Sequence, residues 1–102
     1  MKVPLNYEEF GKSLELAQPP ALWPESLQAL WWAAKGNWEN AHEIAQDIPS
    51  KTGSWIHAYL HRVEGDRWNA GYWYDRANKP FSKHSAVEEL EQIISSVLKN
   101  EL

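Results

Sequence analysis

Two histidines four residues apart carry the clearest chemical signal in the sequence. His57 and His61 lie in a segment with helical periodicity, so both imidazoles point to the same side of one helix. Two imidazoles in this arrangement bind a divalent metal ion when a third ligand arrives from elsewhere. The candidate third ligands are Glu64, His42 and Asp66. The residue after His57 is Ala58 rather than the glutamate of a zinc-peptidase motif, so packing or capping of a carbonyl is the alternative role.

Aromatic and basic side chains are interleaved in a second segment, between residues 61 and 83. This segment contains five Lys and Arg residues and three Asp and Glu residues, so it is locally positive although the chain has a net charge of −4. The cluster comprises Arg62, Arg67, Trp68, Tyr72, Trp73, Tyr74, Arg76, Lys79, Phe81 and Lys83. Such rings and guanidinium groups stack on nucleotides or bind carboxylates. The acidic net charge disfavours nucleic acid as the ligand. An acidic peptide or protein is therefore the favoured ligand of this cluster. The alternative is that its rings pack in the core and its basic side chains lie on a solvated helix surface.

The elements that carry these residues are predicted to be helices. Apolar side chains recur at intervals of three and four within residues 27–34, 56–63 and 87–98, which is the period of an amphipathic helix. Glycines, prolines and the capping pair Ser85 and Glu88 separate or begin such runs. We predict an all-α fold of about six helices. Because no linker of biased composition interrupts the chain, residues 1–102 are predicted to form one domain.

An internal repeat organises the middle of the chain. Gly36, Ala41 and Asn40 align with Gly65, Ala70 and Asn69, all at an offset of 29 positions, and Ala29 aligns with Ala58 at the same offset. Glycine permits the left-handed turn between two antiparallel helices, and a small alanine lets the helices approach closely. The repeat therefore predicts two helical hairpins, with N- and C-terminal helices as caps.

At these residues the chain resembles the tetratricopeptide-like helical hairpin repeats. The run HRVEGDRWNAGYWYDRANKP matches their pattern through Gly65, Ala70, Tyr74, Ala77 and Pro80, whereas WAAKGNWENAHEIA lacks the second aromatic residue. The period is also shorter than the familiar one. Residues 29–81 further resemble a group of small uncharacterised bacterial helical proteins. The resemblance to the hairpin repeats implies a binding or scaffolding role at most, and the second resemblance implies no function.

In stacked hairpins of this kind the first helix of each hairpin lines a groove, and its outward positions include Trp23 and Leu30 as well as Trp55, Tyr59 and Arg62. The predicted binding residues combine the last three with the two histidines of the fourth helix. They are Trp55, His57, Tyr59, His61 and Arg62. Tyr59 also fits the apolar stripe of the same helix, so its two assignments conflict. The last helix carries a broad apolar stripe, and a homodimer through residues 85–102 is a further hypothesis.

Composition narrows the class of protein. The 102 residues include no cysteine, which excludes disulfides, thiolate metal sites and a cysteine nucleophile. No signal peptide or membrane-spanning run is evident, so we expect a cytoplasmic protein with no membrane partner. No catalytic motif or phosphate loop is found, and no cofactor is expected. The leading hypothesis is a non-catalytic module that binds a protein or peptide. The alternatives are a metal- or small-ligand-binding protein using His57 and His61, or a self-associating structural protein.

Overall fold

The structure is a computed structural model that describes residues 2–102, and its regular elements are helical. The helices are α1 (Tyr7–Lys12), α2 (Glu25–Ala34), α3 (Trp38–Ala45), α4 (Lys51–Glu64), α5 (Arg67–Arg76) and α6 (Ala86–Asn100). A single 3-10 turn, Ser13–Glu15, follows α1. No strand occurs within residues 2–102, and none of their helices has the length and apolarity to cross a bilayer. The predicted all-α fold with six helices is confirmed.

Polar side chains fix where most of the helices begin. Asn6, Asn37, Ser50, Asp66 and Ser85 each accept a hydrogen bond from a backbone N–H in the first turn of the following helix. Such caps satisfy N–H groups that have no partner inside the helix. The helix predicted to start near residue 54 instead begins at Lys51, because the cap at Ser50 adds a turn. The predicted capping box of Ser85 and Glu88 is present.

The positions of the 29-residue repeat are structurally equivalent. Gly36 and Gly65 both have left-handed backbone, with φ of 81° and 90°. Each precedes a capping residue, and the four repeat alanines (Ala29, Ala41, Ala58 and Ala70) are fully buried. Helix α2 packs against α3, and α4 packs against α5. The chain thus contains two helical pairs joined by glycine turns. The tetratricopeptide-like arrangement of those pairs stays a prediction.

Helix α6 packs its apolar stripe inside the molecule. Ile93, Ile94 and Val97 are fully buried in the main core, which also holds Leu27, Leu30, Trp31, Ile56 and Leu60. The helix contacts α1, α2 and α4. The stripe that suggested a homodimer through residues 85–102 is therefore accounted for by packing within the chain.

Two positions depart from the predicted apolar stripes. Val63 is 50% exposed near the end of α4, and Val87 is 73% exposed in the first turn of α6. Both lie at a helix end. A helix that crosses its neighbours at an angle contacts them mainly along its middle. The apolar pattern of these two helices therefore extends beyond the region that is in contact with other helices.

The glycine turn at Gly65 gives a first testable prediction. Replacing Gly65 with alanine should lower the free energy of unfolding by about 1–2 kcal/mol, because an L-residue is strained at positive φ. The same substitution at Gly71, within α5 and with open space at its Cβ position, should raise it by about 0.5–1 kcal/mol. Urea denaturation of both variants measures the difference. Equal effects of the two substitutions would contradict the structural reading of the turn.

Candidate metal centre and the neighbouring groove

Three histidines from two helices converge in the space between α3, α4 and α5. His42 lies on α3, and His57 and His61 lie one turn apart on α4. One ring nitrogen from each lies within 4.8 Å of the others. The Nε2 atoms of His42 and His57 are 2.9 Å apart. These three residues are called the histidine triad below.

Aromatic rings enclose the triad. His57 stacks on Trp73 of α5 with 3.9 Å between ring centroids, and His42 stacks on Trp38 at 4.6 Å. Trp38 is itself held in place, because its indole N–H donates a 2.6 Å hydrogen bond to the carbonyl of Leu60. His57 is only 5% exposed. The triad therefore combines nitrogen donors with walls that keep water away from one side.

Burial keeps two of the three histidines, His42 and His57, uncharged near neutral pH. Burial, followed by the neighbouring rings of His42 and His61, lowers the pKa of His57 to about 4. The pKa of His42 is also lowered, chiefly by burial and then by His61. A neutral imidazole has a free lone pair, which is the form that binds a metal ion.

The three predicted third ligands occupy different positions around the triad. His42 joins it directly. Glu64 lies outside it, with Oε2 3.1 Å from Nδ1 of His61. A carboxylate in that position orients a metal-ligating imidazole in many metalloproteins. Asp66 also lies close to His61 and Glu64, but it caps α5, and hydrogen bonds from Asn69 lower its pKa.

A buried carboxylate organises the opposite side of α4. Glu89 of α6 is 1% exposed and accepts hydrogen bonds from Arg62 (2.6 Å) and from the indole N–H of Trp55 (3.0 Å). The hydroxyl of Tyr74 lies 2.7 Å and 2.8 Å from its two oxygens. Burial and the adjacent carboxylate raise the pKa of Tyr74, so this hydroxyl stays protonated and donates. The network ties α4, α5 and α6 together.

A groove of about 500 Å³ opens beside this network. Apolar side chains of Trp55, Pro80 and Phe81 line it, together with the basic residues Lys79, Lys83 and His84. The segment from residue 79 to residue 84 has no regular structure and links α5 to α6. The ammonium of Lys79 lies 4.1 Å from the ring centroid of Trp55.

The structure divides the five predicted binding residues among three places. His57 and His61 enter the triad, whereas Trp55 and Arg62 lie on the opposite side of α4, as expected from about 3.6 residues per turn. Trp55 lines the groove, and Arg62 binds Glu89 behind it. Tyr59 is 7% exposed and packs in the core. The conflict at Tyr59 is thus resolved in favour of the apolar stripe.

Three structurally important residues were absent from the five predicted binding residues. Glu89 interrupts the apolar face of α6, four residues before Ile93, and a lone acid at such a position signals a buried partner. Trp38 and Trp73 are half-buried and stack on triad rings, although Trp73 was named only in the aromatic and basic cluster. No sequence pattern distinguishes that role from ordinary core packing.

Comparison of the chain with protein-family models, with curated proteins and with solved structures finds no match. The resemblances described for the sequence therefore stay predictions.

Proposed function

We propose that the protein binds one divalent transition-metal ion through His42, His57 and His61. The observation that carries the proposal is the convergence of three imidazole nitrogens within 4.8 Å of one another. Three histidines with an open fourth position form a well-known type of zinc site.

The spacing of the nitrogens suits such an ion. Two nitrogen ligands of a tetrahedral zinc ion lie about 3.3 Å apart when the Zn–N bonds are about 2.0 Å long. The Nε2 atoms of His42 and His57 are 2.9 Å apart, so a small widening admits the ion. The alternative is a hydrogen bond between these two rings, one as donor and the other as acceptor. Added metal ions distinguish the two arrangements, because only the metal site binds an ion and is stabilised by it.

The donor set selects among metals. Imidazole nitrogen suits zinc, copper, nickel and cobalt, whereas magnesium and calcium prefer oxygen ligands. Glu64 would hold the ring of His61 by accepting from its Nδ1–H, leaving Nε2 for the ion. The site as proposed is therefore a nitrogen site for Zn²⁺ or a neighbouring divalent ion.

Calorimetric titration of the metal-free protein with Zn²⁺ at pH 7.5 tests the proposal. We expect saturable binding of one ion per chain and, with excess Zn²⁺, a higher melting temperature. Replacement of His42 or His61 by glutamine should weaken binding by about 100-fold or more, because even outer-shell changes cost about 10–100-fold. Substitution of Co²⁺ should give the visible absorption of a four-coordinate ion.

The matched control is His84→Gln, since His84 is exposed and lies outside the triad. This variant should bind Zn²⁺ as the unchanged protein does. Absence of saturable binding, or equal binding by the triad variants and the control, would refute the proposal and leave the hydrogen-bonded histidines as a structural feature.

Two further hypotheses concern the location of the protein and its partner. A cytoplasmic location and a protein or peptide partner stay predictions, and the groove on the opposite side of α4 favours the partner. Metal binding does not require that partner, so the two functions can be tested separately.

A further inference from the structure

The groove beside Glu89 has the composition of a site for an apolar side chain. Trp55, Pro80 and Phe81 supply its apolar walls. Phe81 is held in position between two neighbours, with its ring 4.8 Å from the ring of Tyr74 and 4.5 Å from the guanidinium carbon of Arg67. A volume of about 500 Å³ exceeds what one side chain fills and lies in the range of ligand-binding clefts.

The charge at the groove is positive. Lys79, Lys83 and His84 line it, and Lys79 and Lys83 are exposed. The single acid in the lining is Glu89, whose charge is already matched by Arg62 and whose oxygens accept from Trp55 and Tyr74. Neither lysine has an acidic partner in the lining, and the ammonium of Lys79 lies over the ring of Trp55 at the edge of the groove. A negatively charged ligand complements this surface.

The backbone of the same segment has spare hydrogen-bonding capacity. Among the described residues, no protein group accepts from the backbone N–H of Phe81, Ser82 or Lys83. The segment is nevertheless anchored at both ends. The N–H of Lys79 donates to the carbonyl of Tyr74, and the carbonyl of His84 accepts from Arg62. An anchored segment with free N–H groups beside an apolar groove can pair with the backbone of a bound peptide.

We propose that this groove binds an acidic peptide segment of another protein, with one apolar side chain of the peptide between Trp55 and Phe81 and its carboxylates beside Lys79 and Lys83. The free backbone donors favour a peptide over a small carboxylate, because a small carboxylate leaves most of them without a partner. The proposal does not depend on metal binding at the triad.

Nuclear magnetic resonance of the ¹⁵N-labelled protein tests the proposal, with EDTA present so that the triad stays free of metal. The probe is the acetylated and amidated peptide Asp-Glu-Phe-Leu-Asp-Glu, and its matched control is Asn-Gln-Phe-Leu-Asn-Gln. We expect the acidic peptide to shift the indole N–H signal of Trp55 and the backbone signals of residues 79–85. Its affinity should fall as salt is added, and the neutral peptide should bind at least tenfold more weakly.

Charge-reversal variants of the groove lysines provide a second test of the proposal. The double variant Lys79→Glu with Lys83→Glu should bind the acidic peptide at least tenfold more weakly, whereas Lys99→Glu, an exposed change on α6 outside the groove, should leave binding unchanged. Melting curves verify that the variants are folded, and Lys83→Ala provides a milder change if the double variant is not. Equal binding of the two peptides, unchanged binding by the groove variants, or equally tight binding of 3-phenylpropanoate would overturn the proposal.

Discussion

Replacing Arg62 with methionine should lower the free energy of unfolding by about 3–5 kcal/mol at pH 7. The substitution keeps most of the side-chain volume but removes the one cation within residues 2–102 that binds the carboxylate of Glu89. That carboxylate is 1% exposed, so it loses its charged partner at a place where little water solvates it. The hydroxyl of Tyr74 and the indole of Trp55 still donate, but neither carries charge. Urea denaturation measures the loss, which is large for a domain of this size.

A second substitution separates the charge from the packing. Adding Glu89→Gln to Arg62→Met should restore part of the lost stability, because it removes the unpaired buried charge while keeping an oxygen that accepts from Tyr74 or Trp55. The control is Arg76→Met, which removes an exposed arginine that stacks on Trp73. This change should lower the free energy of unfolding by about 1 kcal/mol or less. If the double variant is as unstable as the sum of its two single variants, Glu89 and Arg62 do not act as a pair.

Sequence periodicity predicted the helices well because each apolar stripe reports on one nearby contact face. The runs on α2, α4 and α6 are buried through Leu27, Ile56 and Ile94 as expected. The repeat located both glycine turns, since few other residues tolerate positive φ. The stripes could not show what each helix packs against. The stripe on α6 suggested a dimer because a single helix face cannot distinguish another chain from its own core.

The candidate site was predictable only in the part that lies on one helix. The spacing of His57 and His61 places both imidazoles on one side of α4, and this arrangement is observed. The arrival of His42 depends on how α3 packs against α4, which no local pattern specifies. The same holds for Trp73, which comes from α5. Contacts between helices complete the triad, so the sequence named His42 only as one of three candidate ligands.

Acid should destabilise the metal-free protein through His57, by about 3 kcal/mol between pH 6.5 and pH 4. The unfolded chain binds a proton at His57 with the ordinary pKa of 6.5, whereas burial and the rings of His42 and His61 lower the pKa in the folded protein to about 4. Well above pH 6.5 His57 is protonated in neither state, and its ionisation does not change the free energy of unfolding. Below it the unfolded state gains the proton first, and stability falls until the folded state is protonated as well.

A variant without the ionisable ring isolates this effect. His57→Phe keeps an aromatic ring against Trp73, and the groups left around it are His42, His61, Glu64 and Arg76. The unfolding free energy of this variant is measured in urea with EDTA at several pH values. On acidification to pH 4 it should fall by about 3 kcal/mol less than that of the unchanged protein. His84→Phe is the control, because His84 is exposed. Parallel pH profiles for the unchanged protein and His57→Phe would mean that His57 takes up its proton as readily in the folded chain as in the unfolded one, and that burial does not keep His57 neutral.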